Sequence, residues 1–97
     1  MPLKKSLKSN ALKVIKLLYF ASIREALDSR GESLDYGEHC QDISALLEYL
    51  KGRGAPWPTL LGASTPVLVA VNQVIVQNNE PIQDGDEVAF FPPVTGG

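Results

Sequence analysis

The chain of 97 residues contains one histidine and one cysteine, so it has few of the side chains on which enzymes rely. One residue of each type can build neither a tetrahedral zinc site nor an internal disulfide. His39 and Cys40 are sequence neighbours, and neighbouring side chains on extended backbone point apart, so we do not expect a nucleophile and its base to converge there. A phosphate-binding glycine-rich loop is also missing. We therefore expect no metal site and no independent catalytic machinery in this chain.

Long hydrophobic runs are absent as well. The longest apolar candidate, Val67–Val71 with Val74–Val76, is interrupted by Asn72 and Gln73 and is much shorter than the roughly 20 residues of a membrane-spanning helix. The lysines near the start are followed by no apolar stretch of signal-peptide length. These features predict a cytoplasmic protein with no membrane partner, and the single cysteine agrees with a reducing compartment.

Charge is distributed unevenly along the chain. Residues 1–13 contain four lysines and no acidic residue, whereas residues 14–97 contain five basic and eleven acidic residues, a net charge of −6. We expect a basic, disordered N-terminal extension at residues 1–13, followed by one domain at residues 14–97, because this length supports a single modest core. An acidic domain is a poor candidate for binding nucleic acid, whose phosphates favour Lys and Arg, but it suits a basic protein partner.

The hydrophobic pattern and the turn residues predict five strands. These strands are expected at Val14–Phe20, Ser33–Tyr36, Val67–Val71, Val74–Val76 and Glu87–Phe91. The two-residue gap Asn72-Gln73 is typical of a hairpin, although Gln is less suited than Asn to a positive φ. Asp84-Gly85-Asp86 predicts a tight turn before the last strand.

One helix is clearly indicated, at Asp42–Lys51. Its apolar residues fall on a single stripe, at Ile43, Leu46, Leu47 and Leu50. Asp42 is suited to cap the helix N-terminus, and Gly52 or Gly54 can end the helix. Shorter helical turns are expected at Ala21–Arg30 and Thr59–Leu61. The order of strand, strand, helix and three strands predicts an α+β roll, with a mixed sheet of about five strands on one main helix.

The end of the chain offers chemistry that the side chains do not. It reads Phe90-Phe91-Pro92-Pro93-Val94-Thr95-Gly96-Gly97. The two prolines end the last strand and favour polyproline II, and the two glycines lack a Cβ and can pass through a narrow channel. The terminal carboxylate would then stand on a thin stalk. Adenylation would make it electrophilic, and a sulfur donor could displace AMP to leave a thiocarboxylate, but a second protein must bind the ATP.

The sequence resembles the small-subunit family of molybdopterin synthase (MoaD). Residues 84–97 are similar to the C-terminal signature of that family. Residues 16–25, which read Lys-Leu-Leu-Tyr-Phe-Ala-Ser-Ile-Arg-Glu, resemble its first strand and following turn, and residues 69–73 resemble its central hairpin. The resemblance covers about residues 15–97.

This resemblance implies a β-grasp, ubiquitin-like fold and a role as a sulfur carrier in molybdenum cofactor biosynthesis. The chain would be the small subunit of a sulfurtransferase, with no tightly bound cofactor. An ATP-dependent activating enzyme (MoeB-like) would adenylate Gly97, and a sulfur donor protein would take part in forming the thiocarboxylate. The sulfur would pass to cyclic pyranopterin monophosphate in a complex with the large subunit (MoaE-like), in a heterotetramer of two small and two large subunits.

The resemblance also implies the site residues. Gly97 would be the attachment point for AMP and sulfur, and the tail that threads into the partner would comprise Gly96, Thr95, Val94, Pro93 and Pro92. Strand alternation separates Phe90 from Phe91; we assign Phe90 to the core and Phe91 to partner binding, with the opposite assignment as the alternative. Arg24 resembles a family position near the partner surface, and the alternative is an exposed, solvated charge.

Two other functions remain open at this point. The chain could be a ubiquitin-like sulfur carrier for thiamine or tungsten-cofactor synthesis, which shares the Gly-Gly end. It could instead be a binding module or protein modifier without sulfur chemistry, in which the Gly-Gly end forms an isopeptide bond with a lysine.

Overall fold

A mixed sheet of five strands forms the centre of the domain. The computed structural model describes residues 13–62 and 67–93. The strands are β1 (Val14–Tyr19), β2 (Gly31–Asp35), β3 (Leu68–Val71), β4 (Val74–Val76) and β5 (Glu87–Phe91). They lie in the order β2-β1-β5-β3-β4; β1 and β5 are parallel, and the other neighbours are antiparallel. Residues 1–12 of the predicted extension lie outside the described residues.

The helices cover one face of this sheet. They are α1 (Ala21–Leu27), a short 3₁₀ turn (Glu38–Cys40), α2 (Ile43–Lys51) and α3 (Trp57–Leu61). Their buried side chains join the inward-facing side chains of the strands in one hydrophobic cluster. The predicted α+β architecture is therefore confirmed, with α2 as the main helix.

Three boundaries differ by two residues or more from the sequence-based expectation. Helix α1 ends at Leu27, not Arg30, because Asp28 adopts a left-handed backbone with φ of 53°. Strand β2 consequently begins at Gly31, two residues earlier than Ser33. Helix α3 begins at Trp57, not Thr59, since Pro58 fits the first turn of a helix, where its missing N–H is not needed.

The N-terminus of α2 is capped as predicted. The side chain of Asp42 accepts a hydrogen bond from the backbone N–H of Ala45 at 2.8 Å. The apolar stripe behind this cap is buried through Ile43, Leu46 and Leu50. Gly54, with φ of 97°, takes the left-handed conformation in the turns that follow the helix, whereas Gly52 has an ordinary φ of −70°.

Three aromatic rings fill the core where β1, β5 and α3 meet. Tyr19 lies 5.6 Å from Trp57 and 5.9 Å from Phe90, measured between ring centroids. The Tyr19 hydroxyl donates to the Glu32 carboxylate, which Arg53 contacts at 3.0 Å. Burial raises the pKa of Tyr19, and the hydrogen bond to Glu32 raises it further, so the phenol stays a donor.

Two tight turns bring β5 into line with its neighbours. Asn72 and Gln73 both have positive φ, 50° and 74°, as a two-residue hairpin turn with right-handed strand twist requires. The Asn72 side chain accepts from the backbone N–H of Glu87 at 3.0 Å, which ties this turn to the start of β5. Gly85 supplies the positive φ, 89°, of the turn before β5.

Across residues 13–62 and 67–93, no helix has the length and apolar character needed to span a membrane.

The Asp42 cap can be tested by substitution. We expect Asp42→Ala to lower the free energy of unfolding by about 1 kcal/mol, because it leaves the Ala45 N–H without its acceptor. Asp42→Asn keeps an acceptor oxygen at the same place and should lose much less. Urea denaturation followed by circular dichroism measures both changes. Equal losses in the two variants would show that the cap does not stabilise α2.

Candidate functional site

In the described part of the chain, the helices pack on one face of the sheet, and apolar side chains line part of the other face. Strand β5 divides its residues between the faces: Val88 and Phe90 point into the core and are 0% exposed, while Phe91 points outward and is half-buried. This confirms the assignment of Phe90 to the core. The role of Phe91 in partner binding stays a prediction, but its position on an open face makes it accessible.

A shallow depression lies in the middle of this outer face. Its floor is formed by Ala70 and Ala89, which pair in register across β3 and β5. Larger side chains surround them, including Leu18, Phe91 and Ile75, and the depression has a volume of about 430 Å³. Ile75 is 59% exposed, so it adds to the accessible apolar surface around the depression. We name this surface the outer depression.

The tail begins at one edge of the outer depression. Phe91 is the last residue of β5, and its final register partner is Leu68 on β3. The Phe91 ring stacks on Phe20, with ring centroids 4.8 Å apart and the planes inclined by 4°. Pro92 and Pro93 follow outside the sheet, both half-buried. The remaining predicted tail residues lie outside the described residues: Val94, Thr95, Gly96 and Gly97.

Arg24 lies close to Phe20 but does not line the outer depression. It is exposed on α1, and its backbone N–H donates to the Phe20 carbonyl at 3.4 Å. Its side chain borders a separate surface cavity with Asp28 and Arg30. Arg24 therefore borders a different surface cavity from the one that Phe91 lines, and its role in partner binding stays a prediction.

His39 and Cys40 both contact the backbone carbonyl oxygen of Asp35, with the Cys40 Sγ at 3.7 Å. The His39 ring packs on Tyr49 at 4.6 Å between centroids, and its Nε2 lies 2.8 Å from the Asp35 carbonyl oxygen. Cys40 is buried, and this burial raises the pKa of its thiol, which disfavours the thiolate. Within the described residues, no group of three or more His, Cys, Asp or Glu side chains could hold a metal ion.

Sequence reasoning missed most of the outer depression. It assigned Phe91 to this surface but not Leu18, Phe20 or Ile75. A signal was present: four outward positions of β1 and β5 are apolar, Val14, Leu18, Ala89 and Phe91, although Lys16 and Glu87 are charged. A sheet with one solvated face normally shows alternation of apolar and polar residues, so apolar residues on both faces indicate a surface that a partner covers.

Comparisons with known proteins agree with this architecture. Residues 17–97 match the model of the ThiS family. The molybdopterin synthase sulfur carrier subunit of Escherichia coli (strain K12) is 38% identical over 84 residues, which are 87% of this chain and 100% of that protein. The chain therefore belongs to the ThiS family.

Two solved structures have the same fold. A putative molybdopterin converting factor, subunit 1, from Pyrococcus furiosus superposes with a TM-score of 0.68 at 28% identity, covering 84% of this chain and 99% of that one. The protein SAMP1 from Haloferax volcanii gives a TM-score of 0.67 at 26% identity, covering 87% and 99%. The predicted ubiquitin-like β-grasp fold is confirmed.

The division of labour between Phe90 and Phe91 can be measured with a matched pair of variants. Phe90→Ala should lower the free energy of unfolding by about 3 to 5 kcal/mol, because it empties part of a closed core. Phe91→Ala should cost about 1 kcal/mol, since it removes one stacked, half-exposed ring. Urea denaturation of both proteins tests this. A larger loss for Phe91→Ala than for Phe90→Ala would contradict the assignment of the two faces.

Proposed function

We propose that this chain is the sulfur carrier of molybdopterin synthase and that the carboxylate of Gly97 carries the sulfur. The observation that carries the proposal is the course of β5. This central strand ends beside an open apolar depression, and two prolines then direct the chain away from the sheet. The Escherichia coli relative, which aligns over its whole length, is named a molybdopterin synthase sulfur carrier subunit, and this name supports the same role.

The chemistry follows from the properties of a carboxylate. In the first step, the Gly97 carboxylate attacks the α-phosphorus of ATP, pyrophosphate leaves, and an acyl-adenylate forms. In the second step, a hydrosulfide equivalent from a sulfur donor protein attacks the carbonyl carbon. The bond from carbon to the phosphate oxygen breaks, AMP leaves, and the thiocarboxylate remains. The described side chains provide no ATP site, so an activating enzyme supplies the nucleotide.

The sulfur is then delivered inside a complex with the large subunit. The tail Pro92–Gly97 enters the catalytic cleft of that subunit, while the outer depression docks on its surface. The thiocarboxylate sulfur replaces an oxygen substituent on a side-chain carbon of cyclic pyranopterin monophosphate, and water then cleaves the bond from the Gly97 carbonyl carbon to sulfur. This returns Gly97 to a carboxylate, and two such deliveries complete the dithiolene. The assembly contains two small and two large subunits. The word "subunit" in the name of the Escherichia coli relative supports a larger assembly of this kind.

A protein modifier is the second candidate. The structural likeness to SAMP1, a small archaeal modifier protein, favours it. In this function the activated Gly97 would be joined to a lysine amine with loss of AMP. Both candidates share the adenylation step and differ in the nucleophile that follows.

Intact-mass analysis distinguishes the two candidates. After incubation with the activating enzyme, ATP and a sulfur source, we expect a mass gain equal to the replacement of one oxygen by one sulfur, located on Gly97 by fragmentation. Omission of ATP is the control and should leave the mass unchanged. Conjugates of the chain with lysine residues, with no sulfur gain, would support the modifier; an unchanged mass would defeat both candidates.

The position of the carboxylate can be tested without changing the domain. Addition of one residue after Gly97 should abolish sulfur loading and leave the stability unchanged, because it only moves the reactive group by one residue length, about 3.5 Å. One residue inserted before Lys13 is the matched control, since it lies at the opposite end of the chain. Full loading of the extended protein, without proteolytic trimming, would be incompatible with the proposed mechanism.

A further inference from the structure

Phe20 makes two contacts with the segment from which the tail starts. Its ring stacks on the ring of Phe91, and the nearly parallel planes show contact over a broad area. Its backbone N–H also donates to the carbonyl of Phe90 at 3.1 Å. Both contacts are made at the last two residues of β5. The chain is therefore held by Phe20 at the point where it leaves the sheet.

Phe20 is itself fixed by the start of α1. Its carbonyl accepts hydrogen bonds from the backbone N–H groups of Ile23 at 3.1 Å and Arg24 at 3.4 Å. Ile23 is buried in the core, which anchors this first turn. Ala21, the residue that directly follows Phe20, has φ of 53°, in the left-handed region that alanine rarely adopts. A tight turn with this strain persists only where its surroundings hold it, so Phe20 has little freedom to move away from Phe91.

We propose that Phe20 is a positioning residue that sets the direction in which the tail leaves the domain. This inference rests on the proposed function, since the direction matters only if partner proteins must receive the end of the chain. The stack restrains Phe91 from tilting away from Phe20, and Pro92 is bonded directly to Phe91. Whatever orientation the stack imposes on Phe91 is therefore passed to the two prolines.

The two prolines extend the effect of the Phe91 orientation further along the chain. Proline favours polyproline II, an extended backbone that keeps its direction over several residues. At about 3.1 Å per residue, a rotation of roughly 30° at Phe91 would move the far end of Pro93 by about 3 Å. A misplacement of about 1 Å can slow a reaction about a hundredfold, so this displacement would matter to an enzyme that acts on Gly97.

The direction of the tail can be measured on the isolated, unmodified chain. Residual dipolar couplings of the Cα–Hα bonds of Pro92 and Pro93, in a weakly aligned sample, report how widely these bonds reorient relative to the domain. We expect clearly non-zero couplings in the wild-type protein. Phe20→Leu keeps an apolar side chain but removes the flat ring, and it should reduce these couplings to less than half. Phe20→Tyr keeps the stack and should retain the wild-type values.

Ile75→Ala is the matched control for the outer face. It removes apolar area from the outer depression without a part in the stack, so the tail couplings should stay at wild-type values. The couplings of β5 should be unchanged in all variants, because Phe20 is 39% exposed and lies outside the core. Phe20→Met, which is also apolar and not planar, replaces Phe20→Leu should that variant fold poorly.

Two results would overturn the positioning role. One is a Phe20→Leu protein whose tail couplings equal those of the wild type, and the other is a wild-type tail whose couplings already average to zero. These measurements need no partner and no sulfur source. A negative result therefore removes the positioning role alone, whereas failure of sulfur loading on Gly97 would remove the proposed function and leave the direction of the tail as measured.

Discussion

The parallel pairing of β1 with β5 is the constraint on which the rest of the structure depends. It joins the first and last strands of the domain at the centre of the sheet, with Tyr19 opposite Phe90. Because the strands are parallel, their C-terminal ends lie at the same end of the sheet. The start of α1 and the start of the tail are therefore close together. The aromatic core and the Phe20–Phe91 stack both follow from this register: one residue of each adjacent pair points inward, and the next points outward.

The two faces of the sheet differ in their packing. The inner face is closed by three helices and holds the fully buried side chains, so it supplies stability. On the outer face, as far as the structure describes the chain, apolar side chains surround a depression above two alanines. In the proposed function, the carrier binds more than one protein in succession, and an apolar surface beside the start of the tail suits such docking. On that proposal, stability and docking can change independently along a single strand, at the neighbours Phe90 and Phe91.

The fold was largely predictable from the sequence because its determinants are local. The stripe of α2, the Asp42 cap and the Asn72-Gln73 gap each specify their element through a few neighbouring residues. Boundaries were less predictable where a residue without a strong preference adopts an unusual backbone. Asp28 ends α1 in the left-handed region, and nothing in its neighbourhood marks it in advance.

The candidate site was also only partly accessible to sequence-based prediction. Its proposed chemistry, at Gly97, stays a prediction, and it could be formulated from the sequence because it depends on the order of residues at the end of the chain. Its surface could not, because Leu18, Ala70 and Ile75 come together only through strand pairing that joins distant segments. The Phe20–Phe91 contact also depends on this long-range register, although each residue is prominent in the sequence.

The central claim is that the last position of the backbone delivers sulfur to a pterin. The most direct measurement is a single-turnover experiment in which the chain carries a radioactive sulfur label on Gly97 and is mixed with the large subunit and cyclic pyranopterin monophosphate. The account predicts that the label leaves the protein and appears in the pterin product, while Gly97 returns to a carboxylate. Label that stays on the protein, or that is released as free sulfide without entering the pterin, would contradict it.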